Sequence, residues 1–301
     1  MIDQNRRSFL KSLGLIGITA AGLPSASVKA QSQIKLSEDR MGVLVDTTVC
    51  IGCRNCEWAC KKAHGLEAGV VNDYEDRSVF KSKRRPDHSA LTIVNEYQNP
   101  KNSLVPADVK FQCMHCDQPG CVSACIVAAI TKHENGAVTW DGDKCIGCRY
   151  CMVACPFQIP AFEYNKAIQP EIMKCDFCFE RISEGKLPAC VEICPTETLT
   201  YGKRKDLIEI AKERIRRKPD RYVNHIFGEK EVGGTSWLYL AGQEFSNFDF
   251  PKLGEDTAPG VSESIQHGIF AYFIPPIALY ALLGGVMWIN KNKNKNKSEK
   301  E

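Results

Sequence analysis

Short apolar stretches separated by polar turns recur along this chain, and they predict a domain built from small strands and helices. The segments 43–46 and 138–140 contain the β-branched and aromatic residues that favour strands. Asn135-Gly136, which lies between two β-prone stretches, is typical of a tight hairpin turn. Further short strands are predicted at 91–94, 159–164 and 199–202.

One amphipathic helix is predicted after the last of these strands. Leu207, Ala211 and Ile215 lie at helical spacing and form one apolar stripe on an otherwise basic segment. Asp206 and Glu209 are three residues apart, as in a capping box, which places the predicted helix start at Asp206. Because only one stripe is apolar, we expect this helix to dock on the surface of the domain.

A second apolar pattern covers residues 269–289, which include no charged side chain. At about 1.5 Å per residue, a helix of this length crosses a hydrocarbon core of about 30 Å. Pro275-Pro276 are expected to kink it, and the lysine-rich tail at 290–301 favours the cytoplasmic side of a membrane. The pattern predicts a single transmembrane helix with the preceding domain on the opposite, periplasmic side.

The cysteine content changes this picture most. The chain has 16 cysteines among 301 residues and is 44% hydrophobic, so it is long enough for a core without a disulfide scaffold. Its net charge of +3 is too small to indicate a nucleic-acid-binding protein. Every cysteine belongs to one of four groups: the first is Cys50, Cys53, Cys56 and Cys60; the second is Cys113, Cys116, Cys121 and Cys125; the third is Cys145, Cys148, Cys151 and Cys155; the fourth is Cys175, Cys178, Cys190 and Cys194.

The spacing within these groups favours iron–sulfur chemistry. The first and third groups follow CxxCxxCxxxC, the bacterial ferredoxin run that binds a 4Fe–4S cluster. Structural zinc usually takes two CxxC pairs separated by a longer loop. The residues inserted before Cys121 and Cys190 make the second and fourth groups more zinc-like when taken alone. A structural zinc protein therefore stays as the distant alternative.

The chain also repeats itself around the cysteines. Residues 43–60 match residues 138–155: an extended stretch, an aspartate, a turn and then the cysteine run. Gly52 and Gly147 occupy equivalent places before the second cysteine, where the backbone must turn tightly and approach the cluster closely. The repeat predicts a duplicated, bacterial-ferredoxin-like α+β domain with two pseudo-symmetric two-cluster halves and long inserts.

The N-terminal residues 1–30 have the pattern of a twin-arginine signal peptide. Arg6-Arg7 precede Phe9 and Leu10, and Val28 and Ala30 form a small-residue cleavage site that leaves Gln31 as the first mature residue. An ordinary secretory signal is the alternative. Export after folding fits cluster chemistry, because an unfolded chain would present bare thiols to an oxidising compartment.

No catalytic motif accompanies the cysteines. The sequence has no CxxCH haem attachment, no GxGxxG and no P-loop, and its six histidines are scattered. His115 is interpreted as a solvated histidine rather than one that tunes a cluster. Residues 61–110 are interpreted as mostly surface loops with a solvated basic stretch. Residues 226–268 are interpreted as an extension with one strand-like piece, which lies along a partner or leads toward the membrane. We therefore expect a non-catalytic protein.

These motifs together resemble a known family. GCRYCMVACPF and the gap between Cys178 and Cys190 are similar to the ferredoxin-type electron-transfer subunits of bacterial membrane oxidoreductases. QCMHC, FGEKEVGGT, FDFPKL and ESIQH are similar, more narrowly, to the iron–sulfur subunits of hydrogenase-2 type nickel–iron hydrogenases. The resemblance implies a four-cluster domain at 31–225, an extension at 226–268 and a membrane anchor.

The family pattern also implies which thiols bind each cluster. In two-cluster ferredoxins the fourth cysteine of a run binds the neighbouring cluster. The second and third groups should exchange fourth cysteines by this rule, and the resemblance implies the same for the first and fourth groups. The expected ligand sets are Cys113, Cys116, Cys121 with Cys155; Cys145, Cys148, Cys151 with Cys125; Cys50, Cys53, Cys56 with Cys194; and Cys175, Cys178, Cys190 with Cys60.

The implied function is electron relay through four 4Fe–4S clusters. By resemblance, electrons enter from the small subunit of a hydrogenase, which works with its large subunit, and leave toward an integral membrane subunit that reduces quinone. The alternative is the same relay for a molybdopterin enzyme of the formate dehydrogenase, polysulfide reductase or tetrathionate reductase type. The expected location is the inner membrane, with the globular domain on the periplasmic side.

Overall fold

The computed structural model describes residues 36–100, 104–166, 170–260 and 280–288, all within the unit Ile34–Glu301. The predicted signal peptide lies outside the described residues, as do the basic tail and most of the predicted transmembrane helix. Residues 280–288 of that helix are described and are helical. Among the described residues, no helix is both long and apolar enough to span a bilayer.

The described domain mixes short strands with short helices, as the sequence predicts. Its strands are β1 (Met41–Asp46), β2 (Ile93–Tyr97), β3 (Ala107–Phe111), β4 (Ile130–Lys132), β5 (Val138–Trp140), β6 (Ala161–Phe162), β7 (Ile172–Met173), β8 (Leu199–Lys203) and β9 (Trp237–Leu240). Its α-helices are α1 (Asn55–Ala63), α2 (Gly120–Ser123), α3 (Tyr150–Val153), α4 (Phe179–Ser183), α5 (Ala189–Glu192) and α6 (Arg204–Arg217). Single 3₁₀ turns cover Val71–Glu75, Arg77–Lys81, Glu231–Gly233 and Phe245–Phe248.

A three-stranded sheet forms the centre of the domain. β1 lies in the middle, antiparallel to β8 and parallel to β9, so that Val43 pairs with Tyr201 on one side and with Trp237 on the other. Val43 and Leu44 are completely buried, as expected for a strand covered on both faces. Because β9 comes from the predicted extension at 226–268, this part of the extension packs into the core.

α6 covers the face of this sheet through the predicted stripe. Leu207 and Ala211 are buried in one cluster with Leu44 and Leu238. The predicted start at Asp206 is wrong by two residues, since α6 begins at Arg204 and no side chain caps it. The Arg204 guanidinium donates instead to the carbonyls of residues 228, 229 and 235, contacts between distant segments that capping rules do not describe.

Three antiparallel hairpins surround the central sheet: β2 with β3, β4 with β5, and β6 with β7. The predicted turn at Asn135-Gly136 is confirmed between β4 and β5. The Gly136 amide donates to the His133 carbonyl at 3.0 Å, and the His133 amide donates to the Ala137 carbonyl at 2.8 Å. β2 begins at Ile93, two residues later than predicted.

The insert between the first two cysteine groups is tied to α1 by a buried ion pair. Glu57 is 2% exposed and accepts two hydrogen bonds from the Arg84 guanidinium, at 2.6 and 3.0 Å. It also accepts from the Val94 amide at 2.7 Å. The interpretation of the basic stretch as a solvated face is therefore wrong at Arg84, because a buried carboxylate requires a charged partner.

Local backbone geometry recurs at matching positions of the cysteine groups. Gly52 and Gly147 have φ of 65° and 67°, and the residues two places later, Arg54 and Arg149, have φ of 60° and 62°. Each arginine is the N-cap of the helix that follows. A second recurrence lies three residues after the fourth cysteine of three groups, where φ is 51° or 52°: Ala128, Gln158 and Glu197.

Candidate metal centres

Each cysteine group places its thiols on a loop followed by the first turns of a helix. The third cysteine lies in α1, α2, α3 or α5, and the fourth cysteine lies four residues later. In α1 both cysteines lie within the helix, about 6 Å apart along its axis, whereas in the other three groups the fourth cysteine lies beyond the helix end. α1 packs against α5, and α2 packs against α3. The first group is therefore next to the fourth, and the second is next to the third.

The thiols gather into four sets, which we number by the group that supplies three of the four. Each set takes its remaining thiol from the adjacent group. Set 1 is Cys50, Cys53, Cys56 and Cys194; set 2 is Cys113, Cys116, Cys121 and Cys155; set 3 is Cys145, Cys148, Cys151 and Cys125; set 4 is Cys175, Cys178, Cys190 and Cys60.

Set 1 surrounds a small cavity between α1 and the segment after α5. Its four thiols line this cavity together with the side chains of Lys110 and Thr196. The pKa of Cys50 is raised to about 12, chiefly by burial and to a smaller extent by the nearby Asp108, Cys194 and Cys53. At this cavity, Cys194 therefore lies beside three thiols that precede it in sequence by more than a hundred residues.

Sets 2 and 3 show the same exchange between α2 and α3. Burial raises the pKa of Cys116 well above its ordinary value, and Cys155, Cys113 and Cys121 raise it further. The pKa of Cys151 is raised to about 11, chiefly by burial and to a smaller extent by Cys148, Cys125 and Cys145. Cys148 alone is exposed among the sixteen cysteines, all of which lie in described residues. Among these described residues, set 3 is accordingly the set with an exposed thiol.

Set 4 joins Cys60 at the end of α1 to the fourth group. The pKa of Cys178 is raised to about 12, chiefly by burial and to a smaller extent by Cys190 and Cys60. Burial likewise raises the pKa of Cys175, and Cys60 adds most among its neighbours. Thiolate, not thiol, is the metal-binding form. Burial makes it costly for these thiols to lose their protons. They therefore suit a site in which bound iron replaces the protons and stabilises the thiolates.

Backbone amides point at several of these sulfurs. The amides of Gly147 and Phe177 donate to the Sγ atoms two residues earlier, those of Cys145 and Cys175, at 3.5 and 3.4 Å. The Ala129 amide donates to Cys125 Sγ at 3.2 Å. Amide donors stabilise negative charge on sulfur, which favours thiolate ligands and affects the potential of a bound cluster.

Three buried lysines lie among the thiol sets. Burial alone would lower the pKa of Lys110, but Cys190, Cys56 and Cys175 raise it above its ordinary value. Burial lowers the pKa of Lys132 to about 8, against the effect of Asp117 and Cys116. Lys174 donates to the carbonyl of Cys175 at 3.1 Å. Buried charges need partners of opposite sign, and thiolate-bound clusters supply negative charge.

His64 is a site residue that sequence reasoning missed, and His115 is one that it considered but interpreted as solvated. His115 is completely buried, so its interpretation as a solvated histidine is wrong. His64 Nε2 lies 2.8 Å from Asp176 Oδ1, and its Nδ1 lies 3.8 Å from Cys60 Sγ. His64, Asp176 and Cys178 place three ligand atoms within 4.8 Å of one another. Because Cys178 and Cys60 belong to set 4, we treat His64 as part of its surroundings.

All sixteen thiols are free, so the cysteines do not form a disulfide framework. A cavity of about 590 Å³ lies elsewhere, between α6 and the segments 224–231 and 253–255, and no cysteine lines it. The chemistry of the described domain is therefore concentrated in the four thiol sets.

Comparisons with known proteins decide between iron–sulfur and zinc. A family model described as a 4Fe–4S dicluster domain matches residues 107–204. The hydrogenase-2 operon protein HybA of Escherichia coli O157:H7 is 34% identical over 308 residues, covering 92% of this chain and 93% of that protein. This chain belongs to the ferredoxin-type iron–sulfur electron-transfer subunits.

Two further relatives extend this family likeness. The nitrate-inducible formate dehydrogenase iron–sulfur subunit of Escherichia coli K12 is 33% identical over 221 residues, 71% of this chain and 72% of that protein. A protein of Nitratidesulfovibrio vulgaris Hildenborough is 49% identical over 258 residues, 85% of this chain and 69% of that protein. As a ferredoxin-type subunit, the chain binds 4Fe–4S clusters, and its sixteen cysteines match the requirement of four.

The equivalent glycines Gly52 and Gly147 offer a matched test of set 1. An added Cβ costs about 1–2 kcal/mol at either left-handed position. At Gly147 it would meet only Phe162 at 3.6 Å, whereas at Gly52 it would lie 2.5 Å from the buried Asp108 carboxylate. We expect Gly52→Ala to lose bound iron and thermal stability more than Gly147→Ala. Iron content and the unfolding midpoint measure this, and equal losses in the two variants would contradict the packing described for set 1.

Proposed function

We propose that each thiol set binds one 4Fe–4S cluster, with the ligands of sets 1 to 4 as defined above. The burial of the thiols, their electrostatic proximity and the amides that donate to them support this assignment. Bound clusters of this type exchange single electrons at potentials of roughly −700 to +450 mV. The polypeptide fixes their positions, excludes water and supplies compensating charge.

We propose further that the domain consists of two ferredoxin-like halves. Sets 2 and 3 form one half around α2 and α3, and sets 1 and 4 form the other around α1 and α5. The equal backbone conformations at Gly52 and Gly147, and at Arg54 and Arg149, support an internal duplication. The strand–turn–cysteine repeat in the sequence supports it independently.

The observation that best supports a relay is that neighbouring sets form a row. Cys151 of set 3 raises the pKa of Cys121 of set 2, a thiol whose pKa burial has already raised. Cys190 of set 4 similarly adds to the effect of burial on the pKa of Cys56 of set 1. Sets 2 and 4 meet where His115 packs on Phe177. We infer from these contacts a row that runs from set 3 through sets 2 and 4 to set 1.

We propose that this relay connects the small subunit of a nickel–iron hydrogenase to an integral membrane subunit that reduces quinone. The likeness to HybA, a hydrogenase-2 operon protein, covers nearly the whole of both chains, which favours a hydrogenase partner. The formate dehydrogenase iron–sulfur subunit is nearly as similar but over less of the chain. A relay for a molybdopterin enzyme is therefore the second candidate.

We also propose that the chain works at the periplasmic face of the inner membrane. The twin-arginine pattern in residues 1–30 and the uncharged segment 269–289 support export of the folded domain followed by anchoring. The four-cluster domain, which includes β9 from the predicted extension at 226–268, would then lie between signal and anchor, with the basic tail in the cytoplasm.

Serine substitutions test the crossed ligands. Cys155→Ser is expected to alter the same EPR signal as Cys113→Ser, because both residues belong to set 2. Cys145→Ser, in the same sequence group as Cys155, should alter a different signal. The measurement is low-temperature EPR of the reduced protein. If Cys155→Ser instead matched Cys145→Ser, each group would bind its own cluster and the exchange would be refuted.

Metal analysis of the native complex tests the partner. The membrane fraction is solubilised in mild detergent, and the complex is isolated through this chain. We expect nickel together with iron, since a nickel–iron hydrogenase is the proposed electron donor. Molybdenum or tungsten in place of nickel would favour the second candidate, and recovery of the chain only in the cytoplasmic fraction would contradict the proposed location.

A further inference from the structure

The imidazole of His115 lies where the loops of sets 2 and 4 meet. His115 immediately precedes Cys116 of set 2. Its ring packs against Phe177, which immediately precedes Cys178 of set 4, with 5.0 Å between ring centroids. The side chain thus lies at the contact between the two halves of the relay, where the middle of the row is formed.

One ring nitrogen of His115 is already occupied. The Val138 amide donates a hydrogen bond to Nδ1 at 2.9 Å, so Nδ1 acts as an acceptor and carries no proton. The proton of the neutral ring must then be on Nε2.

The other ring nitrogen has no acceptor in the polypeptide. Nε2 is buried and finds no hydrogen-bond partner among the described residues. Buried polar groups in proteins are nearly always paired. His115 also has a φ of 51°, an unfavourable value for a residue with a side chain, and such backbone strain concentrates at functional sites. The missing acceptor is therefore expected to be a group that the polypeptide does not itself provide.

We propose that the Nε2–H of His115 donates a hydrogen bond to a sulfur atom of the 4Fe–4S cluster bound by set 2 or set 4, and thereby raises the reduction potential of that cluster. The inference rests on the ligand sets proposed above. A hydrogen bond to sulfur stabilises the more negative, reduced cluster more than the oxidised one. The competing acceptors are the ring face of Phe177 and a buried water molecule.

Two substitutions test the roles of the two ring nitrogens separately. His115→Asn keeps an acceptor near the Nδ1 position for the Val138 amide, suits the left-handed backbone and removes the Nε2 donor. His115→Gln keeps an N–H donor near the Nε2 position. His88→Asn is the matched control, because His88 is only half-buried and its ring nitrogen contacts Asn165.

The experiment is an EPR-monitored redox titration of the full-length chain in its native complex, with iron and sulfide measured in each sample. In His115→Asn we expect one cluster to show about a tenfold lower ratio of reduced to oxidised form at a fixed potential, which is about 59 mV for a one-electron couple. His115→Gln should restore most of the shift, and His88→Asn should show none. If the iron and sulfide contents are unchanged, the clusters are still bound, and the shift in potential cannot be attributed to wrongly assigned or lost cluster ligands.

The affected cluster is identified by comparison with Cys155→Ser, which marks set 2, and Cys60→Ser, which marks set 4. A variant that fails to assemble is bypassed by pulsed EPR of a His64→Gln chain grown with histidine ¹⁵N-labelled in the imidazole ring, because His64 also lies near a thiol of set 4. There we expect a ¹⁵N hyperfine coupling at that reduced cluster. No shift in His115→Asn, equal shifts in the Asn and Gln variants, or no ¹⁵N coupling would each overturn the proposal.

Discussion

The convergence of four thiols from two distant segments is the constraint on which this structure depends. Each set needs a fourth cysteine from another group, so α1 must pack against α5 and α2 against α3. Set 1 shows how far apart in sequence the thiols of one set can lie. Its Cys50 and Cys194 line the same cavity although most of the domain sequence separates them. The short strands and tight turns hold these helices in position, and the long inserts are tolerated because they leave the cysteine loops intact.

Charge is the second requirement, and the domain meets it from within. Thiolates concentrate negative charge in the thiol sets, where most of the cysteines are buried or half-buried and charge is poorly screened. Lys110, Lys132 and Lys174 bring positive charge to these sets, and backbone amides bring partial positive charge to individual sulfurs. Each buried lysine is itself hydrogen-bonded, which makes its burial tolerable. The polypeptide is thus adapted to hold charge as well as to position metal.

Local features of the domain could be predicted from the sequence, because their causes are local. Cysteine spacing located all four groups, the Asn135-Gly136 pair located a hairpin, and helical periodicity located the stripe containing Leu207. The family likeness followed from the same motifs. Each of these patterns lies within about twenty residues of sequence, where turn chemistry and helix periodicity operate.

Features that depend on distant segments could not be predicted in this way. His115 looked solvated because nothing in QCMHC shows that Val138 and Phe177 will enclose it. The start of α6 was misplaced because Arg204 bonds to carbonyls more than twenty residues away. The predicted extension gave no sign that β9 would pair with β1. In each case a tertiary contact, rather than local propensity, determines the outcome.

Metal content per chain is the most direct test of thiol sets that hold iron–sulfur clusters. The chain should be purified without oxygen, and its iron, zinc and acid-labile sulfide should be measured together with its folded state. Four complete clusters predict about sixteen iron atoms and about sixteen sulfides per chain, with no stoichiometric zinc. A folded chain that contains zinc or no metal, and no sulfide, would contradict the account.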